Sequence, residues 1–199
     1  MDDREFIALG GTLDRSNFHY SIGGSAYAIR IGDDYLLIDA GLYPDSKQQP
    51  VKKEENTIVF EEIGGYRLPI IGKINLSAVS NGVKEGLPRY DLLKNAKNIY
   101  CVITHGHLDH SGSVPALKRL YGDRVKFFMT RETFETAHWV WMDSVKLSRR
   151  RGHFSAYNAK DILQISNANS LQFVSVNETI EAGPFCLSFY SSGHILGGL

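Results

Sequence analysis

Near its amino terminus the chain alternates apolar and polar positions with the period of two that a half-buried strand requires. From Ser25 to Ile31 the alternation puts Tyr27, Ile29 and Ile31 on one face. Gly32-Asp33-Asp34 then turns the chain into Tyr35-Leu36-Leu37-Ile38-Asp39, which predicts a β-hairpin. From Pro44 to about Glu55 the chain is polar and rich in Lys and Glu, and Ile58 to Ile70 predicts a second hairpin around Gly64-Gly65, so this region reads as a surface elaboration. Ile99-Tyr100-Cys101-Val102-Ile103 is short and continuously apolar, as a strand buried on both faces should be. Ser113 is placed to cap a helix that tolerates Pro115 in its first turn, carries Val114, Leu117 and Leu120 on one side and stops at Gly122. Lys126 to Thr130 predicts another strand, and Arg131 to about Lys146 a helix striped by Phe134, Ala137, Trp141 and Val145. Ser170 to Val176 and Phe185 to Tyr190, with Gly183-Pro184 between them, add further strands. Strands alternating with helices indicate a layered α/β fold, and the hairpins argue against a purely parallel sheet.

Composition changes this picture little. With 199 residues the chain is expected to form one domain, and 43% apolar with 22% charged residues is the balance of a globular protein rather than a disordered or fibrous one. Lys plus Arg equals Asp plus Glu at 22 each, so there is no overall basic field and any nucleic-acid binding must be local. Cys101 and Cys186 sit in apolar stretches without a Cys-x-x-Cys pair, which predicts small buried residues in a reducing cytosol rather than a zinc knuckle or a disulfide framework. The acidic start Met1-Asp2-Asp3-Arg4-Glu5 and the lack of any run near the roughly 18 apolar residues of a membrane span predict a cytoplasmic protein.

The chemistry is concentrated in Thr104-His105-Gly106-His107-Leu108-Asp109-His110, which follows a buried strand and precedes a helix. Imidazoles two apart on an extended or turning backbone point the same way, so His105 and His107 can grip one metal ion, with Asp109 and His110 a step further along offering a second set of ligands. Gly106 lets the backbone turn tightly, and Leu108, with no donor atom, should pack. A lone histidine is more often a satisfied core or loop residue, but three with an aspartate in six positions favour metal. Ser192-Gly193-His194-Ile195-Leu196-Gly197-Gly198 is by itself a turn with a capping histidine; beside the first motif, His194 becomes the third ligand of the first metal. Asp39, before Ala40-Gly41, reads equally as a turn aspartate and as a residue that orients a ligand histidine by hydrogen bonding. Lys146, Arg149, Arg150 and Arg151, followed by His153, suit the carboxyl end of a helix better than a phosphate-binding patch.

These residues carry a family resemblance. His-x-His-x-Asp-His after a Leu-Ile-Asp-Ala-Gly strand resembles the hallmark of the metallo-β-lactamase superfamily, and Gly-His-Ile-Leu-Gly-Gly is similar to its β-CASP group of nucleases. Leu87-Pro88, Phe127-Phe128-Met129-Thr130 and Asp143-Ser144-Val145 resemble the branch that cleaves mRNA 3′ ends, with its bacterial and archaeal relatives; the likeness runs from about Gly23 to Gly198. The resemblance implies an αββα sandwich, of which residues 1–199 are the amino-terminal part. It implies that His105, His107 and His194 hold one zinc, that Asp109 and His110 hold another, and that Asp39 supports the site, with manganese or iron as alternative ions. It further implies a phosphodiesterase of RNA processing, an endo- or exonuclease, in which a hydroxide held between the metals attacks phosphorus. Two metals about 3.5–4 Å apart stabilise the attacking and leaving oxygens, and Asp109 is able to accept the proton of the water. Asp109 and Asp39 are thus the catalytic candidates. RNA or single-stranded DNA is the expected partner, a second copy of the chain a further candidate, and no membrane is involved.

The family's bridging aspartate and last ligand histidine lie beyond the glycine motif, and the β-CASP insertion and the second half of the sandwich fall outside residues 1–199. The expectation is therefore an amino-terminal fragment with an incomplete second site and little activity alone. Gly106 stands where the mRNA endonuclease has phenylalanine, which tilts the reading toward a general RNA or DNA nuclease. A thioester or lactam hydrolase of the same fold is the competing enzyme; the Leu-Gly-Gly after His194 favours the nuclease, and Leu108 disfavours the di-iron flavoprotein branch, where a glutamate is expected. A non-catalytic scaffold is the third reading, opposed by five filled ligand positions.

Overall fold

The computed structural model describes residues 4–10, 13–14, 19–20, 24–42, 59–63, 66–70, 87–151, 155–166 and 169–199. Its centre is a six-stranded sheet of β1 (Arg4–Gly10), β2 (Ala26–Ile31), β3 (Asp34–Ile38), β4 (Asn98–Val102), β5 (Val125–Met129) and β6 (Leu171–Phe173), hydrogen-bonded in that order. The pairs from β1 to β3 are antiparallel and those from β3 to β6 parallel, so the sheet is mixed, as the hairpin signals required. Val59–Ile63 and Tyr66–Ile70 pair as the second expected hairpin. The polar stretch from Pro44 to Glu55 and His153 lie outside the described residues.

Strand periodicity divides the sheet into two faces. Ile99 and Cys101 of β4 and Val125, Phe127 and Met129 of β5 point into the main core. Against them pack helices α2 (Val114–Tyr121), α3 (Arg131–Arg151) and α4 (Ala159–Ser166), through Leu117, Trp141 and Ile162 among others. Tyr100, Val102 and Phe128 point the other way, where the hairpin of β7 (Thr179–Ala182) and β8 (Phe185–Ser188) covers them with Ala182 and Leu187. In β2 the main core receives Ala26 and Ala28; Tyr27, Ile29 and Ile31 share the opposite face and are half-buried.

Several local expectations are revised. Ser113 precedes α2 without capping it: its hydroxyl donates toward the carbonyls of Ala40 and Gly41, both at 2.9 Å, and meets Tyr90 Oη at 2.6 Å. Cys101 is buried as expected but Cys186 is exposed, because it takes the outward position in the β7–β8 hairpin. Helix α3 continues to Arg151, bringing the expected arginines onto its last turn. Helix α4 was not predicted, although Asn158 and Asp161 form a reciprocal cap. Asn158 Oδ1 accepts the amides of Lys160 (2.8 Å) and Asp161 (3.2 Å), and Asp161 Oδ2 accepts the Asn158 amide at 2.8 Å.

Candidate metal centre

The site is built where β3 and β4 end side by side. Asp39 leaves β3 with φ 64°, a left-handed conformation that aspartate tolerates better than most residues. Its amide donates to Val102 O at 2.8 Å, so the next residues run along the histidine motif. Ala40 donates to His110 O (2.8 Å), Leu42 to Leu108 O (2.9 Å) and Ser25 to Asp109 O (2.8 Å), which fastens the loop and the short helix α1 (Leu108–Ser111). At Gly41 a Cβ would fall 1.8 Å from Asp109 O, so only glycine permits this crossing. Gly106 serves a different purpose from the expected tight turn: a Cβ there would meet Thr136 Cβ at 2.7 Å, so its bareness lets α3 approach the motif. Leu108 packs against the core as expected.

One buried carboxylate organises the rings. Asp39 is 4% exposed. Its Oδ1 accepts the Thr104 amide at 2.8 Å and the Thr104 hydroxyl at 2.9 Å, and its Oδ2 accepts His110 Nδ1–H at 2.7 Å. Because the Thr104 proton is committed to Asp39, Thr104 Oγ1 accepts from His105 Nδ1 at 3.0 Å. Both histidines are thereby held as tautomers whose Nε2 carries a lone pair. His105 Nε2 faces His107 Nδ1 at 3.2 Å, and His110 Nε2 faces Asp109 Oδ2 at 3.7 Å. Asp39 thus touches His110 directly and His105 through Thr104, and is shielded from solvent.

The third imidazole comes from the far end of the chain. Residues 191–199 curl back over the sheet; Leu199 N donates to Thr104 O at 2.9 Å, and Gly197 O receives the hydroxyls of Thr130 (2.9 Å) and Thr133 (3.0 Å). This places the His194 ring 4.9 Å from that of His105 and 5.3 Å from that of His107, between centroids. One nitrogen from each of His105, His107 and His194 lies within 4.8 Å of the others, and among the described residues no other group of at least three potential ligands is this tight. The His110 ring stands 4.1 Å from His105, so the Asp109–His110 pair adjoins this cluster.

The electrostatics suit ligation. Burial first, then the neighbouring His110, His107 and His194, pushes His105 down to about 4 against the opposing pull of Asp39, so the ring is neutral at pH 7. His110 is raised, chiefly by its hydrogen bond to Asp39. A tetrahedral zinc with nitrogen ligands at about 2.0–2.1 Å sets two donors about 3.3 Å apart. The 3.2 Å between His105 Nε2 and His107 Nδ1 matches that spacing. The residues fit a metal ion. All six residues predicted from the sequence lie in this one locality: His105, His107 and His194 in one cluster, Asp109 and His110 beside it, Asp39 beneath. Missed were Thr104, named in the motif without a role, and Thr130, Thr133 and Trp141. The Trp141 indole N–H donates to Ser111 O at 2.8 Å and so braces α1; its place on the buried stripe of α3 gave no sign of this.

The fold is a mixed sheet with helices on one face and a histidine-rich loop at the ends of adjacent strands. Among the proteins the chain is similar to are endoribonucleases named ysh1 and a transcription termination factor. It is 26% identical over 193 residues to "Endoribonuclease ysh1" of Schizosaccharomyces pombe, a match over 97% of this chain and 20% of that protein. With "Transcription termination factor FttA" of Cenarchaeum symbiosum it shares 32% identity over 97 residues, 48% of this chain and 15% of that protein. Among solved structures, the subclass B3 metallo-β-lactamase MEM-A1 from a soil metagenome superposes with a TM-score of 0.43 at 17% identity, covering 98% of this chain and 55% of that one. No family model matches the chain. The chain spans about a fifth of the length of the endoribonuclease relatives it matches.

Proposed function

We propose that this chain is the metal-gripping part of a metal-dependent RNA endonuclease, with zinc as the expected ion. The observation that carries the reading is the cluster of three imidazoles beside the Asp109–His110 pair, tuned by one buried carboxylate, in a chain homologous along nearly all its length to endoribonucleases. His105, His107 and His194 hold one ion; Asp109 and His110 are placed to hold a second. A bound divalent ion supplies Lewis acidity, lowering the pKa of water toward neutrality and polarising a phosphoryl oxygen. Asp109, partly exposed beside His110, takes the proton of the attacking water. Asp39 and Thr104 keep His105 and His110 in the tautomers that ligation needs. Among the described residues no helix is long and apolar enough to cross a membrane.

The test is cleavage of end-labelled RNA and single-stranded DNA by the protein at its full natural length, beside His107→Ala and a chelator control. The expected outcome is internal cutting of RNA that both controls abolish. A metal-loaded protein that leaves RNA intact and hydrolyses a small thioester instead would overturn the reading.

A further inference from the structure

The loop that presents His194 has few anchors. Ser191, Ser192, Gly193 and His194 are all exposed, and within the loop Ser192 N–H donates to Gly198 O at 3.1 Å and Gly198 N–H to Ile195 O at 2.9 Å. Its hold on the rest of the molecule is concentrated at Gly197 and Leu199. Gly197 takes φ 77°, and a Cβ there would lie 2.6 Å from both Thr130 Oγ1 and Glu132 Cβ, so the backbone is pressed against the first turn of α3. There its carbonyl accepts from two hydroxyls whose residues are 4% (Thr130) and 0% (Thr133) exposed. The two threonines are not equivalent. Thr130 Oγ1 also accepts the Thr133 amide at 3.1 Å and so caps α3. The Thr133 hydroxyl gives its proton to Gly197 O, and its other contact is the Thr130 hydroxyl at 3.0 Å.

We propose that Thr133, seconded by Thr130, is the positioning residue that sets His194 against His105 and His107. The inference rests on the reading of His194 as a metal ligand. It assigns α3 two tasks one turn apart: Thr136 packs on Gly106 between the first two imidazoles, and Thr133 holds the loop of the third. One rigid helix thereby fixes both sides of the metal grip, which a loop fastened only to itself would not do.

Thr133→Val keeps shape and removes the hydroxyl without touching the helix cap; Thr133→Ser restores the hydroxyl. In the full-length protein, Thr133→Val is expected to weaken zinc binding about tenfold or more in competition with a chromophoric chelator, the size usual for groups that orient ligands. In the metal-free protein it is expected to speed amide exchange at Leu199 and Ser192, and Thr133→Ser is expected to recover both. In a His194→Ala background, Thr133→Val is expected to change zinc affinity no further, since residues acting through one another are not additive. Unchanged affinity and exchange in Thr133→Val, failure of serine to restore them, or full additivity with His194→Ala overturns the proposal. A wild-type protein that binds no zinc defeats the functional reading instead, and the exchange rates at Leu199 and Ser192 then still decide the clamp.

Discussion

His105 and His110 lie in one cluster, yet their environments push them in opposite directions, and that split is readable as stability. His105 falls to about 4 from 6.5. Between those values the folded chain therefore binds fewer protons than the unfolded one, and the stability His105 contributes is present above 6.5 and lost as pH falls toward 4. His110 is raised by Asp39, so its contribution is full below 6.5 and lost as pH rises through its folded value. In the metal-free protein, acidification from about pH 7 to about pH 4.5 is expected to lower the urea midpoint through His105. His105→Gln should flatten this acid limb, and Asp39→Asn should flatten the alkaline one. Urea titrations over that range, extended upward through the raised folded value of His110, check both; an acid limb unchanged by His105→Gln would contradict the assignment.

At the scale of elements, the motif is shaped by what crosses it. The segment after β3 lies so close to α1 that Gly41 admits no side chain, the obstacle being the backbone oxygen of Asp109 rather than a flexible group. Gly41→Ala must separate the two segments and break hydrogen bonds from Ser25, Ala40 and Leu42. Its expected cost is several kcal/mol, beyond the roughly 1–3 kcal/mol of ordinary overpacking. Gly32→Ala, in an open turn at φ +60°, pays only the conformational penalty of roughly 1 kcal/mol. Thermal melts of the two variants should rank them in that order. Elements marked by an apolar pattern were legible beforehand: β3, β4 and β5 as short apolar runs and α3 by the spacing of its buried stripe. Helix α4 was missed although Ala159, Ile162 and Ile165 share its buried side; its start is marked by the Asn158–Asp161 cap rather than by a Ser, Thr or Pro ahead of an apolar run. Strand β7 was missed because Glu181 and Thr179 face solvent on a two-stranded hairpin, where little burial marks the pattern. The candidate ligands could be named from the sequence because imidazole and carboxylate chemistry is local to the residue. The clamps by Thr104, Thr133 and Trp141 were not, because a hydroxyl or indole declares its partner only once distant segments meet.

For the whole molecule, the decisive quantity is how many donors converge. The sheet carries a large helical core on one face and a small hairpin cluster on the other, and the candidate metal centre sits at strand ends where β3, β4, the start of α3 and residues 191–199 meet. Three imidazoles close on one point there, whereas the adjoining point is faced by one imidazole and one carboxylate. Zinc held by three protein ligands with water in the fourth position is a complete catalytic arrangement; two ligands leave half the shell to solvent or to further groups. This chain is therefore expected to retain about one zinc ion through dialysis and to take up a second only at higher free concentration. His194→Ala should drop the first to the weak class, since it leaves two ligands there, while Asp109→Asn should leave the tightly held ion in place. Elemental analysis after dialysis against graded free zinc distinguishes these cases. Two ions retained as tightly as one another would mean that Asp109 and His110 are completed by donors beyond the pair, and the unequal division of the ligands inferred from the geometry would then be wrong.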